Sequence, residues 1–142
     1  MRIEARNKMV DTSDLTPEQK ERLQKSHSSY IFGMIGHPKH LEKMSNSDDE
    51  EERWYSAAFG SEHYKDKLLH DPSPWIRSVI AMSGTREHKE ALKNDPSIKV
   101  RKKLAKYGHK SLVQHFTNDK SKQVRDVANK RLQEPFEGEN DT

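Results

Sequence analysis

In the second half of this chain, apolar residues recur at helical spacing. Ile76, Val79, Ile80 and Ser83 stand at i, i+3, i+4 and i+7, the positions of one helix face. Val100 with Leu104, and Val124 with Val127 and Ala128, repeat that face. Asp71 or Ser73 can cap the first of these helices, with Pro72 or Pro74 at its first position, and Asp95-Pro96-Ser97 can do the same for the next. A shorter helix is predicted after each, over Arg86–Lys93 and Lys110–Thr117, anchored by Leu92 and Phe116. Gly84 and Gly108 suit the left-handed residue that ends a helix. Near the start, Thr16-Pro17-Glu18-Gln19 combines a Thr cap, a Pro at the first helical position and a capping-box Gln, which predicts a helix to about Lys25. Nothing in the chain reads as a strand.

These elements recur with a fixed period. Asp71-Pro-Ser-Pro-Trp-Ile-Arg77, Asp95-Pro-Ser-Ile-Lys-Val-Arg101 and Asp119-Lys-Ser-Lys-Gln-Val-Arg125 begin 24 residues apart. The arginine column extends back to Arg53. A glycine column runs Gly36, Gly60, Gly84, Gly108, an apolar column Met44, Leu68, Leu92, Phe116, and a small-residue column Gly33, Ala57, Ala81, Ala105. Four columns in one phase define repeats at about 23–46, 47–70, 71–94 and 95–118, and a truncated fifth from Asp119 to about Gln133. The chain thus divides into an N-terminal segment with a capping helix (1–22), a repeat body (23–133) and an acidic tail (134–142) expected to be disordered. A period of this length is the signature of a solenoid, whose units complete their cores by stacking.

Stacking accounts for the composition. Of 142 residues only 30% are hydrophobic and 35% are charged, lean for a globule of one core. There is no cysteine, which excludes disulfides, thiolate metal sites, iron–sulfur clusters and a cysteine nucleophile. No apolar run approaches the ~20 residues of a membrane helix, and the first residues do not read as a secretory signal. A cytoplasmic protein with no membrane partner is expected. The net charge of +3 conceals a segregation. Residues 1–60 carry 9 basic and 11 acidic side chains, residues 61–133 carry 17 and 8, and residues 134–142 carry 0 and 4. The acids of the first half are concentrated in Asp48-Asp49-Glu50-Glu51-Glu52, at a helix N-terminus where the macrodipole favours them. Such a basic body implies an electronegative partner.

With Asp-Pro-Ser-x-x-(Val/Ile)-Arg recurring every 24 residues, the chain resembles the leucine-rich repeat variants and the wider HEAT-like group. The resemblance covers about residues 47–132 well and 23–46 weakly. It departs from the nitrogenase-linked variant proteins in lacking a cysteine cluster, and from ordinary leucine-rich repeats in lacking their strand consensus. It implies an all-α, right-handed α-solenoid of about five 24-residue repeats, a fold that serves scaffolds, adaptors, inhibitors and some DNA-repair enzymes.

Arg53, Arg77, Arg101 and Arg125 form a ladder that could bind phosphates. The resemblance implies instead that each arginine pairs with the Asp opening a repeat, here Asp71, Asp95 and Asp119, and Arg suits a bidentate carboxylate pair. The lysines are the better candidates for function. Lys99, Lys102, Lys103, Lys106 and Lys110 place several charges on one helix face, and Lys120, Lys122, Lys130 and Arg131 extend the charge into the last repeat. In-register stacking would align Lys99 with Lys122 in one stripe. Tyr107 is the one aromatic among them and reads as packed. Trp75 beside Pro74 is a candidate interface anchor if unburied. Trp75 with Asp71 invites comparison with HEAT-like DNA glycosylases, but no residue pattern maps onto such a site. Among the eight histidines, His40, Tyr64, His88 and Leu112 share a half-buried column, and His37 and His109 each follow a glycine. None forms a metal set, and no cofactor or small-molecule substrate is indicated. G-x-S-x-G, H-E-x-x-H and phosphate-binding glycine loops are absent.

The sequence therefore reads as a non-enzymatic binding module. The first expectation is a protein-interaction adaptor or inhibitor whose basic surface meets an acidic protein. The alternative is a phosphate-backbone binder of low sequence specificity, and behind it a HEAT-like DNA-modifying enzyme. The acidic tail is a candidate autoinhibitor folded over the basic body.

Overall fold

The computed structural model describes residues 2–5, 8–11, 16–18 and 38–136. Thr16 precedes helical Pro17 and Glu18, as the capping signal predicts, and the rest of that helix to Lys25 lies outside the described residues. So do the start of the first repeat up to residue 37, including Gly33, Gly36 and His37, and the acidic tail from residue 137. Two compact units divide the chain, Met1–Leu68 and Leu69–Thr142.

The first unit opens with two strands, where the sequence pattern predicts none. Strands β1 (Arg2–Ala5) and β2 (Lys8–Asp11) pair antiparallel, with Ile3 opposite Val10 and Arg2 opposite Asp11. Helices α1 (Pro38–Ser45), α2 (Glu50–Phe59) and α3 (Glu62–Leu68) follow and pack on one another. Asp49 caps α2 by accepting from the Glu51 amide at 2.9 Å, and Glu50, Glu51 and Glu52 fill its first turn. Leu41, Met44, Trp54, Phe59 and Leu68 are buried, and the Trp54 and Phe59 rings meet edge to face at 5.8 Å. The Ser56 hydroxyl donates to the Leu41 carbonyl at 3.1 Å and ties α2 to α1.

In the second unit the helices are α4 (Pro74–Ser83), α5 (Arg86–Ala91), α6 (Ile98–Tyr107), α7 (Lys110–Phe116) and α8 (Lys122–Leu132). The long helices α2, α4, α6 and α8 begin at residues 50, 74, 98 and 122, so the period of the sequence is the period of the helices. Within this unit α4 packs on α6 and α6 on α8, while α7 packs against α6 and α8. Their shared core is the periodic apolar face: Ile76, Ile80, Val100, Leu104, Val124 and Ala128 are fully buried. The Met44, Leu68, Leu92, Phe116 column is also buried throughout. Burial of each such leucine or phenylalanine side chain contributes about 1.5–3 kcal/mol. From residue 38 to residue 136 every regular element is a helix, and none is long and apolar enough to cross a membrane.

The glycine column has a different cause from the expected one. Gly84 and Gly108 have φ of −74° and −73°, an ordinary extended conformation, so neither is a left-handed cap. Each amide still closes its helix, donating to the Ile80 or Leu104 carbonyl at 2.7 and 2.8 Å. Space is what requires glycine. A Cβ on Gly60, Gly84 or Gly108 would stand 2.5–2.6 Å from that carbonyl oxygen and 2.7–3.0 Å from the side chain of Tyr64, His88 or Leu112. These three occupy one column of the repeat and are buried, more deeply than the half-buried position expected. Gly108→Ala should therefore cost about 1–3 kcal/mol by overpacking. A denaturant midpoint unchanged from wild type would contradict that reading.

Candidate functional site

The arginine ladder is a structural device. Arg77 sends Nε and Nη2 to the Asp95 carboxylate at 2.8 and 3.2 Å, and Arg101 does the same to Asp119 at 2.9 and 3.4 Å. The Nη1 of Arg77, Arg101 and Arg125 donates to the carbonyl of Asp71, Asp95 and Asp119 respectively, at 2.7–2.8 Å. Arg53 makes the equivalent bonds to the Ser47 and Asp48 carbonyls. Each Asp carboxylate also accepts the amide of the serine two residues on, Ser73, Ser97 or Ser121, at 2.9 Å. One arginine thus clamps the start of its own repeat and the start of the next, 18 residues away. A guanidinium fork matches two carboxylate oxygens, so the column holds Arg and Asp. Arg125 keeps its carbonyl bond, but its Nε and Nη2 meet no acceptor among the described residues.

Two residues expected at a binding surface are buried. Trp75 is only 8% exposed and belongs to the core of its helix, so it is not an interface anchor. Lys103 is also 8% exposed, because its position on α6 falls toward the packed side, and its Nζ lies 5.7 Å from the Tyr107 ring centroid. Lys122 is exposed, but its Nζ sits 2.7 Å from the Asp126 carboxylate one turn along α8, so its charge is offset locally. The repeat also places Lys122 in the column of Ile98, one position off Lys99, so the two do not share a stripe. Lys110 is half-buried at the start of α7.

Lys99, Lys102 and Lys106 remain, at i, i+3 and i+7 along α6. Lys99 and Lys106 are exposed and Lys102 half-buried. At 1.5 Å per residue the row spans about 10 Å. It ends at an open cleft of about 670 Å³ between α6 and α8, where Lys106 is joined by Lys130 and Arg131. Tyr107, Val127 and Pro135 add apolar surface to the cleft lining, and Glu134 is its one acid. Lys106 Nζ lies 5.3 Å from the Tyr107 ring centroid, and the Arg131 guanidinium carbon lies 3.7 Å from that of Phe136. Pro135 and Phe136 were expected to belong to a disordered tail, yet they fold back onto α8. The signal for this was an aromatic five residues after Arg131.

His88 and His109 are the buried histidines among the described residues. His88 Nδ1 accepts the Thr85 amide at 3.0 Å while Thr85 Oγ1 accepts the His88 amide at 3.2 Å, a capping box with His in place of Glu. Buried His109 sets Nε2 2.8 Å from Glu90 Oε1. Among the described residues no group of three or more His, Asp or Glu could hold a metal.

The chain matches no protein-family model, no curated protein and no solved structure, so its site rests on its own geometry.

Proposed function

We propose that the chain is a HEAT-like α-solenoid that acts without catalysis, as an adaptor or inhibitor. It holds an acidic protein against the basic face of α6 and the cleft beside it. The observation that carries this reading is the limited reach of the cationic row. In the three columns of Lys99, Lys102 and Lys106, helix α4 supplies Trp75, Ser78 and Met82, and α8 supplies Gln123, Asp126 and Lys130. A phosphate backbone running across the repeats would meet no cation in these columns on α4 and, on α8, Asp126 as well as Lys130. A compact patch of cations beside apolar surface suits a protein surface, where carboxylates and apolar groups alternate.

The test is titration with polyglutamate and with a duplex DNA, each at about 50 and 200 mM salt. Polyglutamate is expected to bind the more tightly, and Lys102→Glu with Lys106→Glu to weaken it about tenfold or more. Tighter binding to the duplex, with a loss of ~10³ in affinity across that salt range, would establish the nucleic-acid alternative instead.

A further inference from the structure

We propose that the cleft between α6 and α8 docks a short acidic segment of a partner protein that carries an aromatic residue beside its carboxylates. This rests on the functional reading above and names the chemistry of the partner. The cleft volume, about 670 Å³, lies in the range of sites that enclose a small ligand or a few side chains.

Its lining states what it accepts. Tyr107, Val127 and Pro135 give the lining apolar surface that suits a ring. The cations Lys106 and Lys130 of the lining stand in one column of the repeat, on neighbouring helices. Lys130 makes no ion pair among the described residues. Lys106 Nζ lies over the Tyr107 ring, 5.3 Å from its centroid.

The chain's own residues after α8 place an acid and a proline along this cleft. Glu134-Pro135-Phe136 follows α8 and turns back, so that Glu134 and Pro135 line the cleft and the Phe136 ring covers the Arg131 guanidinium. Arg131 Nη1 also donates to the Pro135 carbonyl at 3.4 Å, a long and weak bond. Glu134 and Pro135 therefore lie along the cleft, while the Phe136 ring is outside its lining and rests on Arg131. Because the chain's own ring uses Arg131, it also competes for the site.

The test uses the full chain and two fluorescent hexapeptides, Glu-Glu-Pro-Phe-Glu-Glu and the same peptide with Ser for Phe, followed by anisotropy. The Phe peptide should bind about fivefold more tightly than the Ser peptide of equal charge, the size of one exposed ring-on-cation contact. Lys106→Glu with Lys130→Glu should weaken it about tenfold. Phe136→Ala should strengthen it about two- to fivefold by removing the competing ring. Equal binding of both peptides, still lost on charge reversal, would overturn the aromatic docking while leaving a basic protein-binding face intact. Binding of neither peptide, with polyglutamate also inert, would overturn both.

Discussion

Arg101→Ala should lower stability by about 3–5 kcal/mol, the usual consequence of removing one partner from a buried ion pair. Arg101 is 6% exposed and Asp119 8% on their side chains, so the substitution leaves a carboxylate with little water to solvate it. It also strips the Asp95 carbonyl of its Nη1 donor. The Ser121 amide would remain as one acceptor-satisfying contact for Asp119. Arg125→Ala is the matched control. Arg125 makes the same carbonyl bond but closes no rung to a further repeat, so about 1 kcal/mol is expected for its one hydrogen bond. Thermal unfolding of the two variants separates the rung from the hydrogen bond. Equal losses, or an Arg101→Ala protein within about 1 kcal/mol of wild type, would show that the ladder does not couple the repeats.

Phe116→Ala is the second large effect, about 3–5 kcal/mol. Phe116 is fully buried at the end of α7 and is the bulkiest member of the Met44, Leu68, Leu92, Phe116 column. In a stack each unit contacts only its neighbours, so the damage should be local. Hydrogen exchange should show α7 and α8 opening well before α4. Uniform loss of protection across α4, α6 and α8 would indicate a single cooperative core in place of a repeat array.

Much of this fold is legible in the sequence because the period acts on every level at once. The resemblance implies arginines paired with repeat-opening aspartates without saying which, and the structure joins Arg77 to Asp95 of the next repeat through two hydrogen bonds. The apolar column ending in Phe116 is buried as its spacing implies. The glycine column was legible as a position but not as a cause. Its reason is the approach of Tyr64, His88 and Leu112, which only the folded chain reveals. Lysine spacing on one helix did not show which side of α6 packs, and so did not separate Lys103 from Lys102. The pairing of Lys122 with Asp126 was available as an i, i+4 spacing, and it removes Lys122 from the basic row. Trp75 is a large apolar side chain at the start of a helix, where neither period nor composition decides between core and surface. The β1–β2 strand pair carries no strand signature in the sequence because four of its eight paired residues, Arg2, Glu4, Lys8 and Asp11, are charged, too polar a run to read as strand. Glu134–Phe136 was assigned to the tail on composition, and one cation beneath a ring is enough to seat it.

The most direct test of the central claim maps the bound surface by amide chemical shifts as an acidic peptide is added. Shifts should concentrate on Lys99, Lys102, Lys106 and Tyr107 of α6 and on Lys130 and Arg131 of α8, with α4 and α5 unmoved. Shifts spread evenly over the exposed cations, or centred on the arginine column, would contradict a protein-binding face on α6.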